Sequence, residues 1–399
     1  MKVLVINSGS SSIKFQLFQM PEQKVLASGL VEKIGLPNGD IHYKTPEIQH
    51  SINLEIPDHT TGLKKVVELL LHPEIGVISH VNEIENIGHR VVHGGSNFVK
   101  TTIITQEVKD KIRELFSLAP LHNPPNYTGI EVAEEVFPHA KQIAVFDTSF
   151  HQTMPEVAHT YAIPLKFREM GIRVYGFHGI SHQYVSGKAL EFLNNPNAKI
   201  IVIHLGNGCS MTAVQNGESI DHSLGFGPNV GMIMGTRSGD IDQAVIFYLM
   251  EKMQMTSEEV THLLTKQSGM LGLTGDSDLR QIEERASQGD VQAKLALNLS
   301  TYRIQKYIGA YTAVMNGLDA IVFTAGIGEN SNVIRQMVCE EMDYFGIEID
   351  EAKNAVRSSE IRDISAANTR TKVLVIPTNE ELEIAKETYS ILKNQEKVS

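Results

Sequence analysis

Residues 2–12 read KVLVINSGSSS, and a similar order of residue types returns in residues 199–210, which read KIIVIHLGNGCS. Each stretch begins with a lysine and four apolar residues rich in β-branching, and it continues through a polar residue into small ones. An apolar run that ends in glycines is typical of a buried strand entering a tight turn. Glycine and serine let backbone N–H groups approach an anion closely. One copy would fit any strand and turn, but the repeat predicts two related half-molecules that hold a phosphate chain from both sides.

The bulk composition is ordinary for a globular protein. The chain has 399 residues, of which 42% are apolar and 21% charged, and this length predicts about two domains. The net charge of −12 argues against coating nucleic acid or binding an anionic membrane surface. The N-terminal apolar run, Val3–Ile6, is too short for a signal peptide or a membrane span.

The cysteine content favours a reduced, cytoplasmic protein. Only Cys209 and Cys339 are present, and they are widely separated. Cys209 follows the second glycine turn, where it could be taken for a nucleophile. No pairing pattern supports that role, so we interpret it as a structural residue.

Strand-like runs alternate with helix-like stretches, which predicts an α/β protein with largely parallel sheets. Strands are predicted at Val3–Ile6, Gln142–Phe146, Ile200–Ile203, Ala320–Thr324 and Val373–Ile376. Helices are predicted at Leu63–Leu71, Asp240–Glu251 with Asp240 as N-cap, Val291–Met315, Ser331–Met342 and Glu380–Leu392. The last helix is expected to cross back onto the first domain.

Antiparallel return strands are predicted after each repeated turn, at Ile13–Phe18 and Met211–Val214. The pair Asn216-Gly217 follows the second of them, and an Asn-Gly pair between β-type runs is a strong hairpin signal. Each half is therefore expected to begin with a strand, a turn and a return strand. Gly225–Gly231 has no strand before it and is predicted to be a loop.

Phosphate binding has to come from these turns, because the chain has neither a Walker A loop nor a GxGxxG segment after a strand. Lys14 lies on the first return strand, where it could reach a terminal phosphate. Asp147 ends a predicted buried strand, and the carboxyl ends of such strands border the crevice where α/β proteins bind ligands. Its residue type suits a metal ligand or a general base, and a turn or N-cap aspartate remains an equal alternative.

Two arginines are flanked by glycines, Arg90 in GHRVVHGG and Arg237 in GTRSGD. Such arginines suit a close two-point approach to a carboxylate or phosphoryl group. His178 has a glycine on one side of it and another two residues before, in YGFHG.

Two segments combine a predicted strand with the start of a helix. Gly326 and Gly328 follow the strand at Ala320–Thr324, and glycines at a helix N-terminus suit an adenosine or phosphate contact. Glu380 and Glu381 lie in the first turn of the last helix, where acidic residues are common for dipole reasons alone and where one of them could reach Mg²⁺.

Taken together, these segments resemble the acetate kinase family, within the superfamily of actin, Hsp70 and sugar kinases. The resemblance runs from Asn7 to Glu380. It rests on the set NSGSSSIKF, GHRVVHGG, FDTSFH, YGFHGISH, HLGNG, GTRSGD, SDLR, TAGIGENS and PTNEE in this order. It implies a duplicated actin-like (ribonuclease H-like) α/β fold. Two lobes, each with a mixed sheet flanked by helices, are expected to enclose the active site in a cleft. The expected domains are residues 1–148 with 382–399, and residues 149–381.

The resemblance also implies roles for individual residues. Asp147, His178, Arg237 and Arg90 would be catalytic, and Asn7 and Glu380 would bind the metal. The substrate would contact Arg90 and an apolar pocket of Val92, Leu121, Phe177 and Pro228. The nucleotide would contact Ser10, Ser12, Lys14, His204, Leu205, Gly206, Asn207, Gly208, Asp278, Leu279, Arg280, Gly326, Ile327, Gly328, Glu329 and Asn330.

The implied reaction is the reversible, Mg²⁺-dependent transfer of the γ-phosphoryl group of ATP to acetate by direct in-line displacement. It gives acetyl phosphate and ADP in acetate and acetyl-CoA metabolism. Mn²⁺ is an expected substitute for Mg²⁺, and a cytoplasmic homodimer is implied. Acetate is already ionised at neutral pH, so Asp147 has no substrate proton to remove, and we hypothesise that it orients Mg²⁺ or its waters.

Two alternatives remain. Propionate kinases share the scaffold, and there the position of Val92 resembles an alanine, which favours acetate here. A non-metabolic ATPase of the actin or Hsp70 kind is a different class, but it would have no use for Arg90, His178 and Arg237.

Overall fold

The structure is a computed structural model that describes residues 1–396. The chain separates into two compact units, one made of Met1–Phe150 with the chain from Asn379 onward and the other of His151–Thr378. The domain division predicted from the sequence differs by residues 149–150 and 379–381, which lie in the first unit. As a division into domains it stays a prediction, and residues 397–399 lie outside the described residues.

The described residues contain fourteen strands, many of them short. They are β1 (Lys2–Ser8), β2 (Ser12–Gln19), β3 (Lys24–Glu32), β4 (Gly39–Lys44), β5 (Gln49–Leu54), β6 (Ile84–Val91), β7 (Thr102–Ile103), β8 (Lys141–Phe146), β9 (Lys199–Leu205), β10 (Cys209–Gln215), β11 (Glu218–His222), β12 (Ala320–Thr324), β13 (Arg362–Asp363) and β14 (Lys372–Val375). All five strands predicted from apolar runs are confirmed, although Ile376 lies one residue beyond β14.

Fifteen α-helices lie within residues 1–396. They are α1 (His59–Leu70), α2 (Gln106–Glu114), α3 (Asn123–Val136), α4 (Glu156–His159), α5 (Lys166–Glu169), α6 (Gly179–Leu193), α7 (Gln243–Lys252), α8 (Ser257–Lys266), α9 (Gly269–Thr274), α10 (Leu279–Ser287), α11 (Val291–Met315), α12 (Ala325–Asn330), α13 (Asn332–Cys339), α14 (Glu351–Ala355) and α15 (Glu380–Glu396). Short 3₁₀ turns occur at Val81–Glu83, Leu115–Ser117, Phe150–Thr153 and Asp343–Phe345.

The predicted helices are confirmed, with differences at their ends. The prediction for α11 is exact, and Ser331 is the N-cap of α13, not part of it. The prediction that Asp240 caps α7 is wrong, because Asp242 caps it and accepts from Ala244 N at 2.8 Å. The Asp240 carboxylate instead accepts from Gly231 N and Tyr307 Oη, at 2.7 and 2.9 Å.

The two units contain sheets of the same design. In the first unit the order is β5-β4-β3-β2-β1-β6-β8-β7, and in the second it is β11-β10-β9-β12-β14-β13. In each sheet the first strand pairs antiparallel with the second strand and parallel with the strand on its other side. The next pair outward, β6–β8 or β12–β14, is parallel again. The remaining strand pairs are antiparallel, so the prediction of largely parallel sheets is wrong and both sheets are mixed. The duplication predicted from the repeated segment is therefore confirmed in the strand order.

Both central strands are buried on both faces. Val3–Ile6 of β1 and Ile200–Ile203 of β9 are at most 1% exposed, which explains why their sequences are continuous apolar runs. The return strands β2 and β10 follow as predicted. Asn216 and Gly217 both have positive φ, at 56° and 78°, as a hairpin turn of this kind requires.

The last helix returns to the first unit, as predicted. α15 packs on β1 and β6. Gly88 of β6 permits the close approach, because a Cβ there would lie 2.5 Å from Thr388 Oγ1 and 2.7 Å from Ile384 Cγ2. This packing brings the start of α15, with Glu380 and Glu381, into the same unit as β1. Among the described helices, none is both long and apolar enough to cross a membrane.

Candidate active site

The turn after β1 carries the first group of predicted site residues. Asn7 pairs with Lys14 across β1 and β2, and Gly9 N donates to Ser12 O at 2.8 Å to close the turn. Ser10 at the tip is exposed. Lys14 Nζ lies 2.5 Å from Glu381 Oε1, so the cation predicted to reach a phosphate already faces a carboxylate of α15.

Arg90, Asp147 and Glu380 form an ionic cluster in the first unit, in which Asp147 is buried and the other two are half-buried. Arg90 donates to both carboxylate oxygens of Asp147, through Nη2 to Oδ2 and through Nε to Oδ1, the latter at 3.3 Å. Arg90 Nε also lies 3.8 Å from Glu380 Oε2. The parallel pairing of β6 and β8 places Arg90 and Asp147 side by side at the carboxyl ends of these strands. Three residues that the sequence predicted separately therefore meet here.

Burial and mutual repulsion shift the pKa values in this cluster. Burial raises the pKa of Glu380 to about 7, with Arg90 opposing the rise and Asp147 and Glu381 adding to it. Burial also raises the pKa of Asp147, and the Arg90 guanidinium opposes that rise. For Arg90 burial would lower the pKa, but the charges of Asp147 and Glu380 raise it overall. Such a cluster favours a bound cation, because a cation would relieve the repulsion between the carboxylates.

The donor chemistry of the cluster fits Mg²⁺. Asp147 and Glu380 offer carboxylate oxygens, and Asn7 offers an amide oxygen. Among residues 1–396, no group of three or more His, Cys, Asp or Glu side chains could hold a metal ion. Mg²⁺ is commonly held by one or two carboxylates together with substrate phosphates and waters, which is the mode these side chains allow.

Two asparagines that the sequence did not single out fix the segment after β6. Asn126 donates to Ser8 O at 2.8 Å and accepts from Val92 N at 3.0 Å, which ties the end of β1 to the chain beyond Arg90. Asn123 makes the same pair of bonds with the backbone of His93, both at 3.0 Å. Both are buried on α3. Their spacing of three residues places them on one helix face, which is the signal that could have identified them.

The predicted acyl-pocket residues differ in exposure. Val92 and Phe177 are buried, at 6% and 3% exposed, whereas Leu121 is 65% exposed. The backbone of Phe177 contacts two histidine side chains, because its N–H donates to His222 Nε2 at 3.1 Å and its carbonyl oxygen lies 3.0 Å from His151 Nε2. Pro228 is half-buried, and its carbonyl accepts from Arg237 Nη1 at 2.9 Å.

The turn after β9 brings His178 and Arg237 together in the second unit. A Cβ on Gly208 would lie 3.4 Å from His178 Nε2 and 3.9 Å from Arg237 Nη1, so both side chains border the space left by this glycine. The GTRSGD segment packs on the same turn, where Gly235 N donates to Asn207 O at 3.1 Å. His178 adopts a left-handed backbone conformation with φ of 56°, and such strain in a residue other than glycine is frequent at functional sites.

A cavity of about 570 Å³ in the second unit gathers most of the predicted nucleotide residues. They come from the β9 turn, the start of α10 and α12. The predicted residues that line it are Leu205, Gly206, Asn207, Asp278, Leu279, Arg280, Gly326, Ile327 and Asn330. The volume lies in the range of small-molecule sites.

Other predicted nucleotide residues lie outside the lining of this cavity. They include His204, Gly208, Gly328 and Glu329, which belong to β9, its turn and α12 but are not part of the wall. Glu329 Oε1 instead accepts from Thr378 N at 3.1 Å. The cavity also has walls that the sequence did not predict, among them Ser277, Glu283 and Arg357. Ser277 begins the SDLR segment, whereas Glu283 and Arg357 lie outside all the quoted segments. No local sequence pattern identifies these three residues as part of a site.

Arg280 and Asp278 form an exposed ion pair at the cavity. Arg280 Nη2 lies 2.6 Å from Asp278 Oδ2, and Asp278 also caps α10 by accepting from Arg280 N. The carboxylate of Asp278 neutralises the positive charge of Arg280. An anionic ligand therefore pairs with Arg280 only if it displaces Asp278.

Cys209 lies beside the turn but is unsuited to nucleophilic chemistry. Burial raises the pKa of its thiol to about 12, with Gly206 and Arg237 opposing the rise. The Sγ atom contacts Gly206 O at 3.3 Å. The interpretation of Cys209 as a structural residue agrees with this environment.

The repeated sheet order, the helices on both sheets and the glycine-bordered cavity define a duplicated actin-like fold. A model of the Acetokinase family matches residues 2–386, and the chain belongs to this family.

Individual relatives agree along nearly the whole chain. An acetate kinase from Flavobacterium johnsoniae is 58% identical over 395 residues, which cover 99% of this chain and all of the relative. The crystal structure of Porphyromonas gingivalis acetate kinase is similar with a TM-score of 0.92 at 43% identity, covering 98% of this chain and 99% of that one. A propionate kinase from Francisella tularensis is similar with a TM-score of 0.91 at 41% identity and the same coverage.

Proposed function

We propose that this protein is an acetate kinase that transfers the γ-phosphoryl group of ATP reversibly to the carboxylate of acetate. The observation that carries the proposal is the convergence of His178 and Arg237 on Gly208, in the turn whose neighbouring residues line the cavity. Two donors beside a nucleotide-sized cavity are what phosphoryl transfer requires, because its catalysis depends on positioning and charge neutralisation. The names of the relatives support acetate as the acceptor.

We assign the acetate carboxylate to Arg90. Its Nε and Nη2 atoms contact Asp147, so the Nη1 edge is the part that these bonds leave for a substrate. Asp147 holds the guanidinium plane in place, and a fixed plane favours the aligned approach of a carboxylate.

We assign Asn7, Asp147 and Glu380 to Mg²⁺, with Mn²⁺ as a substitute. Bound there, the cation would supply positive charge to the phosphates and relieve the repulsion between carboxylates, which adds to the effect of burial on the pKa of Glu380. Asp147 has no substrate proton to accept, because the carboxyl group of acetate is ionised at neutral pH. Its proposed work is to hold Arg90 and to orient the cation or its waters.

His178 and Arg237 are the proposed stabilisers of the transition state. The transferring group carries charge on its equatorial oxygens, and an arginine directed at such charge is worth roughly 10³-fold or more in related phosphotransferases. Arg237 is held by its bond to Pro228 O, and burial lowers its pKa without removing its charge. His178 is held by Ser210 on one side and by the stacked ring of His204 on the other.

Propionate kinase is the second candidate, favoured by the similarity to the Francisella tularensis enzyme. Val92 argues for acetate, because its buried side chain restricts a pocket more than alanine would. One methylene is worth only about 1–3 kcal/mol in such pockets, so propionate is expected to be a poorer substrate and not an excluded one.

A hydroxamate assay tests the proposal. The protein is incubated with ATP, Mg²⁺, acetate and hydroxylamine, and acetyl phosphate is trapped as acetyl hydroxamate. We expect hydroxamate in proportion to ADP formed. Steady ATP hydrolysis with no hydroxamate would favour a non-metabolic ATPase, and equal kcat/KM for acetate and propionate would favour the broader acyl specificity.

We also propose a cytoplasmic homodimer. Both cysteines are buried and free, which fits a reducing compartment. The helix α7 is apolar in sequence, QAVIFYLMEK, yet none of its residues is buried in the single chain. Phe247 and Tyr248 are 59% and 60% exposed, and an apolar helix face of this kind suits contact with a second copy.

A further inference from the structure

Five histidine rings lie close together in the second unit, and the proposed reaction uses His178 and His204, which lies near the end of β9. The other three are His151, His182 and His222, which are buried. The ring centroids of His182 and His222 are 5.2 Å apart, those of His182 and His204 are 5.9 Å apart, and those of His151 and His222 are 4.0 Å apart. Burial lowers the pKa of His182 well below its ordinary value, and the neighbouring histidines add to that effect. His182 is therefore neutral at physiological pH and carries a single N–H.

Ser210 connects His182 to His178. Its Oγ lies 2.7 Å from His182 Nε2 and 2.9 Å from His178 Nδ1, and the residue is completely buried on β10. A hydroxyl has one proton, so it can donate to only one of the two rings and must accept from the other. The two hydrogen bonds therefore have a common direction, and that direction determines which nitrogen of His178 carries its proton.

The environment of His182 determines the direction of the two hydrogen bonds made by Ser210. Among the described residues its buried Nδ1 has no hydrogen-bond partner. A proton on Nδ1 would leave an orphaned buried N–H, whereas a proton on Nε2 is donated to Ser210 and leaves only a bare acceptor. Orphaned buried donors are rarer than orphaned acceptors, and leaving a buried polar group unsatisfied costs about 1–3 kcal/mol. His182 Nε2–H thus donates to Ser210 Oγ, and Ser210 Oγ–H donates to His178 Nδ1.

We propose that His182 and Ser210 are positioning residues that keep the proton of His178 on Nε2, the nitrogen that borders Gly208 beside Arg237. The inference rests on the proposed function, in which His178 donates a hydrogen bond to the transferring phosphoryl group. With Nδ1 as an acceptor, the neutral ring presents its only N–H on the side of Arg237. In the opposite tautomer Nε2 would present a lone pair to an anionic phosphoryl group and repel it.

Nitrogen NMR of the ligand-free, full-length protein tests the tautomer directly. Protonated and unprotonated ring nitrogens have well-separated ¹⁵N shifts, and the His178→Gln variant assigns the resonances of His178 by their loss. We expect Nε2 to be protonated and Nδ1 unprotonated in both His178 and His182. A proton on Nδ1 of His178 would overturn the inference, and this readout needs neither activity nor a variant at Ser210 or His182.

Kinetics test the consequence for the reaction. Ser210→Ala removes the shared hydroxyl, and we expect kcat to fall roughly 10–100-fold, the range found for partners that orient metal-binding histidines, with KM for ATP and acetate little changed. His182→Gln keeps an N–H donor near the position of Nε2 and should retain much more activity than His182→Leu. If His182→Gln and His182→Leu are equally impaired, the donor role of His182 is wrong.

Ser219→Ala is the matched control. Ser219 is also completely buried, and its hydroxyl contacts His151 Nδ1 at 2.9 Å, but it lies outside the chain from His182 to His178. We expect its kcat to stay near that of the wild type. Equal losses in Ser219→Ala and Ser210→Ala would show a packing effect and overturn the inference. A wild-type protein that forms no acetyl hydroxamate would instead overturn the proposed function, whatever the tautomer of His178.

Discussion

Arg90 and Asp147 form a two-point ion pair inside the first unit, although 57 residues separate them in the chain. The pair exists because β6 and β8 are parallel neighbours whose carboxyl ends carry these two side chains. The Asp147 carboxylate therefore interacts with the guanidinium of Arg90 and with any cation that is bound by Glu380. Its function should be separable from that of a general base by its dependence on metal concentration.

Asp147→Asn should raise the Mg²⁺ concentration needed for half-maximal activity and lower kcat. The amide keeps the shape of the side chain but offers a neutral oxygen to the cation and to Arg90. The measurement is the initial rate as a function of Mg²⁺ at saturating ATP and acetate. A collapsed kcat with an unchanged Mg²⁺ dependence would contradict the metal-orienting role. Asp221→Asn, in the second unit and outside the proposed site, is the control for the same change of residue type.

Arg90→Lys should raise KM for acetate by at least ~10-fold, because a point charge cannot keep both bonds to Asp147 and also offer a second edge to the substrate. KM for ATP should change much less. Both constants come from initial rates with one substrate varied at a time. An unchanged KM for acetate with a reduced kcat would show that Arg90 stabilises only the transition state and does not bind the acetate carboxylate.

Val92→Ala should narrow the preference for acetate over propionate. In the wild type we expect kcat/KM to favour acetate by about 10-fold or more, the lower limit for one methylene in an apolar pocket. The smaller side chain should raise kcat/KM for propionate relative to acetate. Val91→Ala removes the same atoms from the adjacent, fully buried position of β6 and controls for general loosening of the core. An equal shift of the kcat/KM ratio in both variants would contradict the assignment of Val92 to the acyl pocket.

The strands β1 and β9, their return strands and the turns that join them could be predicted from the sequence because their signals are local. Each depends on a run of apolar residues followed by glycines or serines. Asp240 shows the limit of such signals. Aspartate is a residue type that suits an N-cap, but the carboxylate of Asp240 accepts a hydrogen bond from Tyr307, which lies 67 residues further along the chain. A pattern of neighbouring residues in the sequence cannot show this tertiary contact.

The supporting residues of the site were missed for the same reason. Ser210 contacts His178 only because β10 pairs with β9 and α6 lies nearby. Asn126 reaches Ser8 across 118 residues. In both cases the residue type is common and the partner is distant, so neither composition nor spacing identifies it. HGISH did contain a usable signal, since His178 is the N-cap residue of α6 and His182 lies four residues further, about one helical turn along.

Phe247→Glu should shift the proposed dimer toward monomer. A charge placed on the apolar face of α7 would have to be desolvated in a subunit contact, and a second copy would present the same charge by symmetry. Sedimentation velocity at several protein concentrations measures the change. Val157→Glu is the control, because Val157 is 88% exposed on α4, away from α7 in sequence. A monomeric wild type, or two variants with equal sedimentation, would contradict the assignment of α7.

Asp221→Asn should stabilise the protein above pH 6. Burial raises the pKa of Asp221 to about 6, with the bond from His222 N opposing the rise. The folded state therefore binds this proton more tightly than the unfolded state, and ionisation of Asp221 weakens folding as the pH rises from about 4 to 6. Asparagine keeps the acceptor for His222 N, which lies 2.7 Å from Oδ1, without the charge. We expect a gain of about 3 kcal/mol in unfolding free energy at pH 7.5 and almost none at pH 4, from urea titrations at both values. A gain of the same size at both pH values would show that ionisation of Asp221 is not its cause.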